Sequence, residues 1–309
     1  MVSDLIFTFS GVALLYFGAE LLVRGSVALS HKFRVTPLLI GLIVIGLGTS
    51  SPELVVSIEA TLIGSGEIAV GNIVGSNISN LALILGLAAL FHPIRAQKEL
   101  LGREIPVLII ISVLMTLLLW NGVLSQLDGA VLLAALIIYL VITIRDNITP
   151  AIAETEVAFK RLRTPLVIVA TLAGLGILIL GAHLMIKGAT GIARTFHIPE
   201  GVIGLTIVAV GTSLPELATA IVASLRKQGE LILGALIGSN ILNILFVLGV
   251  TGVVRSVHLT DIMLDDLLVM TAFAVVMIPV IRTGYTVSRL EGGLLLVAYA
   301  GYVAYLFVR

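Results

Sequence analysis

The chain has 309 residues, 59% of them apolar and 12% charged, and its basic and acidic side chains balance to a formal net charge of zero. Soluble globular proteins carry about 25% charged residues, so this composition excludes an ordinary aqueous fold and makes lipid part of the solvent. With no basic stripe and no cysteine, nucleic-acid binding, disulfides, thiolate metal sites and thiol nucleophiles are excluded too.

Roughly 20 consecutive apolar residues cross a hydrocarbon core as a helix, and ten segments meet that length. The first, 5–30, follows Met1-Val2-Ser3-Asp4. It lacks the basic n-region of a signal peptide, so a retained helix is predicted. Segments 37–63 and 68–91 interrupt their apolar runs with Gly, Ser, Thr, Asn, Pro and Glu, whereas 104–121 and 127–144 are plainer. Residues 145–164, charged and containing Pro150, read as a cytoplasmic linker. Then come 165–193, the polar-interrupted 199–225 and 230–254, and finally 262–282 and 288–307. Strand-type alternation is missing, so the prediction is an all-α integral membrane protein with ten transmembrane helices.

Cytoplasmic loops collect Lys and Arg. An outside N-terminus places thirteen basic residues on inner loops, among them Arg34, Arg95, Lys98, Arg226 and Arg289, against Arg194, Arg255 and Arg309 on outer ones. A multi-pass protein of the cell membrane with both termini extracellular is therefore expected.

The chain also contains itself twice. A shift of 163 residues lays Gly48-Thr49-Ser50-Ser51-Pro52-Glu53 on Gly211-Thr212-Ser213-Leu214-Pro215-Glu216 without a gap. The same shift lays Gly71, Gly75, Ser76, Asn77 and Asn80 on Gly234, Gly238, Ser239, Asn240 and Asn243, and Asp128-Gly129 on Glu291-Gly292. Residues 1–144 and 165–309 are thus predicted to be two five-helix repeats. An odd number of spans per copy inserts the second copy upside down, the plan of secondary transporters with a midplane site between repeats. A duplicated channel is the competing reading.

The chemistry follows from four interrupted helices, the second, third, seventh and eighth. Pro52 and Pro215 cannot donate a backbone hydrogen bond, and Gly48 and Gly211 tolerate unusual dihedrals. Each stretch should therefore unwind and free carbonyl oxygens, with Thr49, Ser50, Thr212 and Ser213 adding hydroxyls. A charged carboxylate at the bilayer centre costs roughly 2.5–3.5 kcal/mol, so Glu53 and Glu216, twinned by the repeat, are expected to bind cations. Protonated glutamates that merely tie helices together are the bland alternative. Ser76 and Asn80 share a helix face, as do Ser239 and Asn243; they can ligate, whereas helix packing accounts equally well for the glycines, Asn77 and Asn240. Two carboxylates with amides, hydroxyls and carbonyls, and no sulfur or imidazole, form a hard oxygen site suited to Ca²⁺. Na⁺ accepts the same donors.

These paired motifs resemble the α-repeats of the cation/calcium exchanger superfamily, specifically the prokaryotic sodium/calcium exchangers, over essentially the whole chain. The resemblance implies ten helices, two inverted repeats and electrogenic Na⁺/Ca²⁺ antiport, commonly three Na⁺ for one Ca²⁺, with no cofactor. By position it makes Glu53 and Glu216 the central metal ligands, assigns Thr49, Ser50, Ser76, Thr212, Ser213 and Ser239 to sodium pockets, and completes the centre with Asn80 and Asn243. Potassium-dependent relatives and some prokaryotic exchangers carry Asp at the position of Asn243; asparagine there removes one possible site charge and is a weak argument against potassium co-transport. H⁺-coupled exchange of Ca²⁺ or another divalent cation is the alternative. An intramembrane enzyme is not expected, because no paired catalytic aspartates, His-Glu-x-x-His or Gly-x-Ser-x-Gly occur.

Other ionisable groups have simpler expected roles. Glu20 and Arg24, four apart, read as a local pair. His183 reads as structural, Glu59 as lining an outer vestibule, and Asp265 and Asp266 as solvated caps.

Overall fold

A computed structural model describes residues 1–146, 162–196, 209–259 and 264–308. Most of the predicted linker and the first part of segment 199–225 lie outside the described residues. The described chain is mostly helical. Helix α1 is Val2–Phe33, and α2 is Pro37–Thr49 resumed as Ser51–Leu62 after a 40° bend. Thr36 caps the start of α2, its hydroxyl accepting from Leu39 N at 3.1 Å, with Pro37 at the first helical position. Then follow α3 (Gly66–Phe91), α4 (Leu100–Leu118), α5 (Gln126–Asp146) and α6 (Thr164–Thr195). After these come α7 (Ala209–Thr212 and Leu214–Leu225), α8 (Gly229–Val254), α9 (Leu264–Arg282) and α10 (Arg289–Val308). Among the described residues, seven helices are individually long and apolar enough to cross a membrane, and the bent α2 makes an eighth. This is a multi-pass membrane protein.

Packing runs across the chain's two halves more than within them. Helix α1 lies along α6, α2 and α5 along α8, α3 along α10, and α4 along α9. The α1–α6 contact is made through glycines seven apart, Gly11, Gly18 and Gly25 facing Gly181, Gly174 and Thr171 in that order, with their neighbours. A Cβ on Gly18 would sit 2.7 Å from Leu178 N and 2.9 Å from Gly174 O. Small residues let membrane helices approach this closely. Helices α3 and α8 occupy the middle: 78% and 94% of their apolar windows are buried, against 33% for α1 and α6.

Two small antiparallel ladders, unexpected from the sequence, tie the loops. Strand β1 (Ile94–Arg95) pairs with β4 (Thr286–Val287), and β2 (Val123–Leu124) with β3 (Val257–His258). In register, Ile94 faces Val287 and Leu124 faces Val257; the 163-residue shift carries one pair onto the other.

Several expectations need correcting. The interruptions in α3 and α8 are not breaks but π-turns, Asn80–Ile84 and Asn243–Leu248. No proline stands there, so the helix widens by one residue instead of stopping. Asp266 is not solvated: it is 5% exposed and accepts from Tyr302 Oη at 3.0 Å, linking α9 to α10. Asp265 is exposed, as expected, and accepts from Tyr305 Oη, also at 3.0 Å. Glu20 does more than pair with Arg24 at 2.5 Å, since Arg226, at the end of α7, also bonds both its carboxylate oxygens. Glu104 on α4 is buried, accepts from Tyr139 Oη of α5 at 3.2 Å and lies 3.6 Å from Arg103.

Candidate ion-binding site

The kinks in α2 and α7 lie at matched positions. Ser50 has φ −78°, ψ 3° and Ser213 has φ −89°, ψ 7°, each just outside helical geometry. Each helix resumes with a proline in its first turn. Pro52 cannot donate to Gly48 O nor Pro215 to Gly211 O, so those carbonyls lose their helical partners. Disruption is limited to one residue rather than an unwound stretch, because Ser50 N still reaches Gly46 O at 3.0 Å and Leu54 N reaches Ser50 O at 3.1 Å.

Glu53 and Glu216 fall in the first turns of the resumed helices. There the positive end of the peptide dipole favours an anion. They are 0% and 4% exposed, and none of their four carboxylate oxygens has a hydrogen-bond partner. Among the described residues no Lys, Arg or His pairs with either. The two carboxylates are close enough to interact electrostatically, with the Ser76 hydroxyl beside Glu53 and the Thr49 hydroxyl beside Glu216. Two unpaired buried carboxylates in one neighbourhood are costly unless a cation joins them.

The surrounding predicted residues are all buried. Thr49 Oγ1 lies 3.3 Å from Ser239 Oγ and donates to Ile45 O at 3.0 Å, while Ser239 Oγ lies 3.5 Å from Gly46 O. This gathers four oxygens from α2 and α8. Ser50 Oγ has no partner. Thr212 and Ser213 occupy the matching kink of α7.

The four asparagines form a closed network. Asn77 Nδ2 donates to Asn240 O at 3.3 Å, and Asn240 Nδ2 donates to Asn77 O at 3.1 Å. Asn80 Nδ2 donates to Asn240 Oδ1 at 2.9 Å, and Asn243 Nδ2 donates to Asn77 Oδ1 at 3.1 Å. With their amide nitrogens engaged, Asn80 and Asn243 are left with buried, unpartnered Oδ1 atoms. Sequence reasoning left Asn77 and Asn240 undecided between packing and ligation; their contacts hold the two candidate ligands. Their equivalence under the repeat was the available signal. Thr219 was also missed: one turn beyond Glu216, its buried hydroxyl has no partner. Glu59, by contrast, is exposed and does not line the cleft that opens at the α2–α3 turn.

The chain is similar to known proteins over nearly its whole length. The profile described as "Sodium/calcium exchanger protein" matches twice, over residues 3–145 and 166–308. A putative antiporter, CaxA of Alkalimonas amylolytica, is 35% identical over 99% of both chains. The sodium/calcium exchanger MaX1 of Methanosarcina acetivorans is 28% identical over 96% of both. A solved structure of the sodium-calcium exchanger NCX_Mj, soaked with Na⁺ and Sr²⁺, superposes with a TM-score of 0.87 at 32% identity, covering 98% of each chain. The chain belongs to the sodium/calcium exchanger family.

Proposed function

We propose that this protein is a secondary antiporter of the cell membrane that exchanges Na⁺ for Ca²⁺ by alternating access, moving net charge in each cycle. The observation that carries the reading is the pair Glu53 and Glu216, buried together with no protein partner for any carboxylate oxygen. Two negative charges balance one Ca²⁺, and the same oxygens can hold several Na⁺ instead. Shared ligands make the two loads mutually exclusive, and an empty site leaves two charges uncompensated in a low-dielectric setting. Coupling follows, because the site crosses readily only when filled. Glu53, Glu216, Asn80 and Asn243 supply the centre, and Thr49, Ser50, Ser76, Thr212, Ser213 and Ser239 the flanking sodium positions. No resident cofactor takes part.

The architecture that goes with this function is two inverted five-helix repeats, residues 1–144 and 165–309, joined by a cytoplasmic linker at 145–164, with ten spans and both termini outside. Three features support it: the 163-residue shift, the double profile match, and the exchange of β1–β4 and β2–β3 under that shift. The names of the relatives support the choice of ions.

The test is calcium uptake by the full chain reconstituted into liposomes, with the sodium gradient, proton gradient and membrane voltage imposed one at a time. Uptake driven by internal Na⁺ and altered by voltage is expected. Uptake that follows only the proton gradient would replace Na⁺ with H⁺ as the coupling ion, and flux without counterflow would replace the antiporter with a channel.

A further inference from the structure

A cleft of about 880 Å³ opens where α2 turns into α3, between Thr61, Ser65 and Ile68 and the facing residues Arg255, Val257 and His258. Residues four apart share a helix face. Inward from the cleft, Thr61, Ser57 and Glu53 therefore form one row on α2, and Ile68, Asn72 and Ser76 a second on α3. Ser57 and Thr61 are 0% and 1% exposed, yet both are polar. Asn72, half-buried, joins the rows: its Nδ2 donates to Ser57 Oγ at 3.4 Å and to Glu53 O at 3.5 Å. With the amide nitrogen held there, the amide oxygen is left as an acceptor that takes no hydrogen bond from the described residues. Four helical residues advance roughly 6 Å, so Asn72 stands one turn inward of Ile68, which lines the cleft, and one turn short of Ser76.

The other half of the chain lacks this arrangement. The 163-residue shift carries Ser57 to Ala220, Ile68 to Leu231 and Asn72 to Ala235, all buried and apolar. Thr61 becomes Ser224, whose hydroxyl donates to Ala88 O at 2.7 Å, tying α7 to α3.

We propose that Asn72 is a capture ligand, whose amide oxygen takes a cation from the cleft and passes it to Glu53, and that passage on the opposite face has no such intermediate stop. The proposal rests on Glu53 being a cation ligand. A cation approaching by the cleft exchanges hydration water for protein oxygen in two stages. One approaching past Ala235 must do so in a single stage, so the two faces differ in apparent affinity. A purely structural Asn72, bracing α2 against α3, would affect both faces alike.

The experiment measures sodium-driven Ca²⁺ uptake in right-side-out and inside-out membrane vesicles carrying the full chain. Asn72→Ala, which copies the residue of the other half, is expected to raise the half-saturating Ca²⁺ concentration in one orientation by roughly five- to tenfold, the size of one lost neutral oxygen contact. In the other orientation it should stay within about twofold of the parent on the same reasoning. Asn72→Asp loses the donor but keeps a ligand oxygen and adds negative charge, so it should bind Ca²⁺ at least as tightly as the parent in the orientation that Asn72→Ala impairs. Equal changes in both orientations, no change in either, or an Asn72→Asp variant as impaired as Asn72→Ala would each overturn the proposal. If Asn72→Ala does not accumulate, Asn72→Ser removes the amide oxygen while keeping a polar group, and the same comparison decides. A parent protein that carries no Ca²⁺ sinks the antiporter reading along with this one; an active parent with an unaffected Asn72→Ala variant sinks only this one.

Discussion

Replacing Asn77 by alanine is expected to weaken ion binding although this residue touches no ion. Asn77 supplies the donor to Asn240 O and the acceptor that holds Asn243 Nδ2. Its removal takes the interhelical donor away from Asn240 O, which keeps the backbone N–H of Asn243, and leaves the buried amide of Asn243 without its acceptor. Such bonds between membrane helices average about 0.6 kcal/mol in mutant cycles and reach 1–2 in model peptides, so a loss of roughly 1–3 kcal/mol in stability is expected for the pair. The larger effect falls on Asn243, whose amide is no longer held and can turn its N–H₂ group toward the site. Exchanging one ligand oxygen for a donor should raise the half-saturating Ca²⁺ concentration about tenfold, equivalent to about 1.4 kcal/mol. Asn77→Asp keeps the acceptor for Asn243 and should show the stability loss with less of the affinity loss. The assay is thermal unfolding in detergent with increasing Ca²⁺, alongside uptake in liposomes. An Asn77→Ala variant that is destabilised yet binds Ca²⁺ with parental affinity would refute the orienting role.

Other expectations follow from the same contacts. Glu53→Gln or Glu216→Gln should abolish calcium exchange while leaving the ion-free protein at least as heat-stable as the parent, because an unpartnered buried charge has been removed; normal uptake by a folded double variant would reject the site. Gly18→Val should force α1 from α6, since its Cβ would meet Leu178 N at 2.7 Å; overpacking of this kind costs about 1–3 kcal/mol, readable as a lowered melting temperature. Glu20→Gln breaks the bridge to Arg226, which is 45% exposed. Its stability cost should stay below about 1 kcal/mol and shrink in high salt, as denaturation at two ionic strengths would reveal.

Much of the candidate site was legible because charge inside an apolar run is conspicuous. Glu53 and Glu216 needed only their setting and the 163-residue shift to stand out, and Pro52 and Pro215 placed the kinks. Partners far apart in sequence were less readable. Nothing near Asn77 announces that its amide reaches Asn240, because the contact depends on how α3 meets α8. Asp265-Asp266 looked like a cap because acidic residues favour helix starts, whereas Tyr302 and Tyr305 arrive from α10 to satisfy them. Glu104 and Tyr139 likewise meet only after α4 and α5 have folded together. The π-turns were read as breaks because Gly, Ser and Asn suggest interruption in general terms. A missing proline in those stretches was the cue that the helix would continue.

The cross-packing of the two halves bears on how the protein is made. Almost every major helix contact of the first half is with a helix that leaves the ribosome later: α1 waits for α6, α2 and α5 for α8, and α3 for α10. Until then Glu53 and Asn80 belong to a half-finished bundle, with lipid or membrane-inserted water where α8 will lie. Neither half alone should hold a lasting shape. The two produced as separate polypeptides, cut within residues 147–161, should assemble only when both are synthesised in the same membrane.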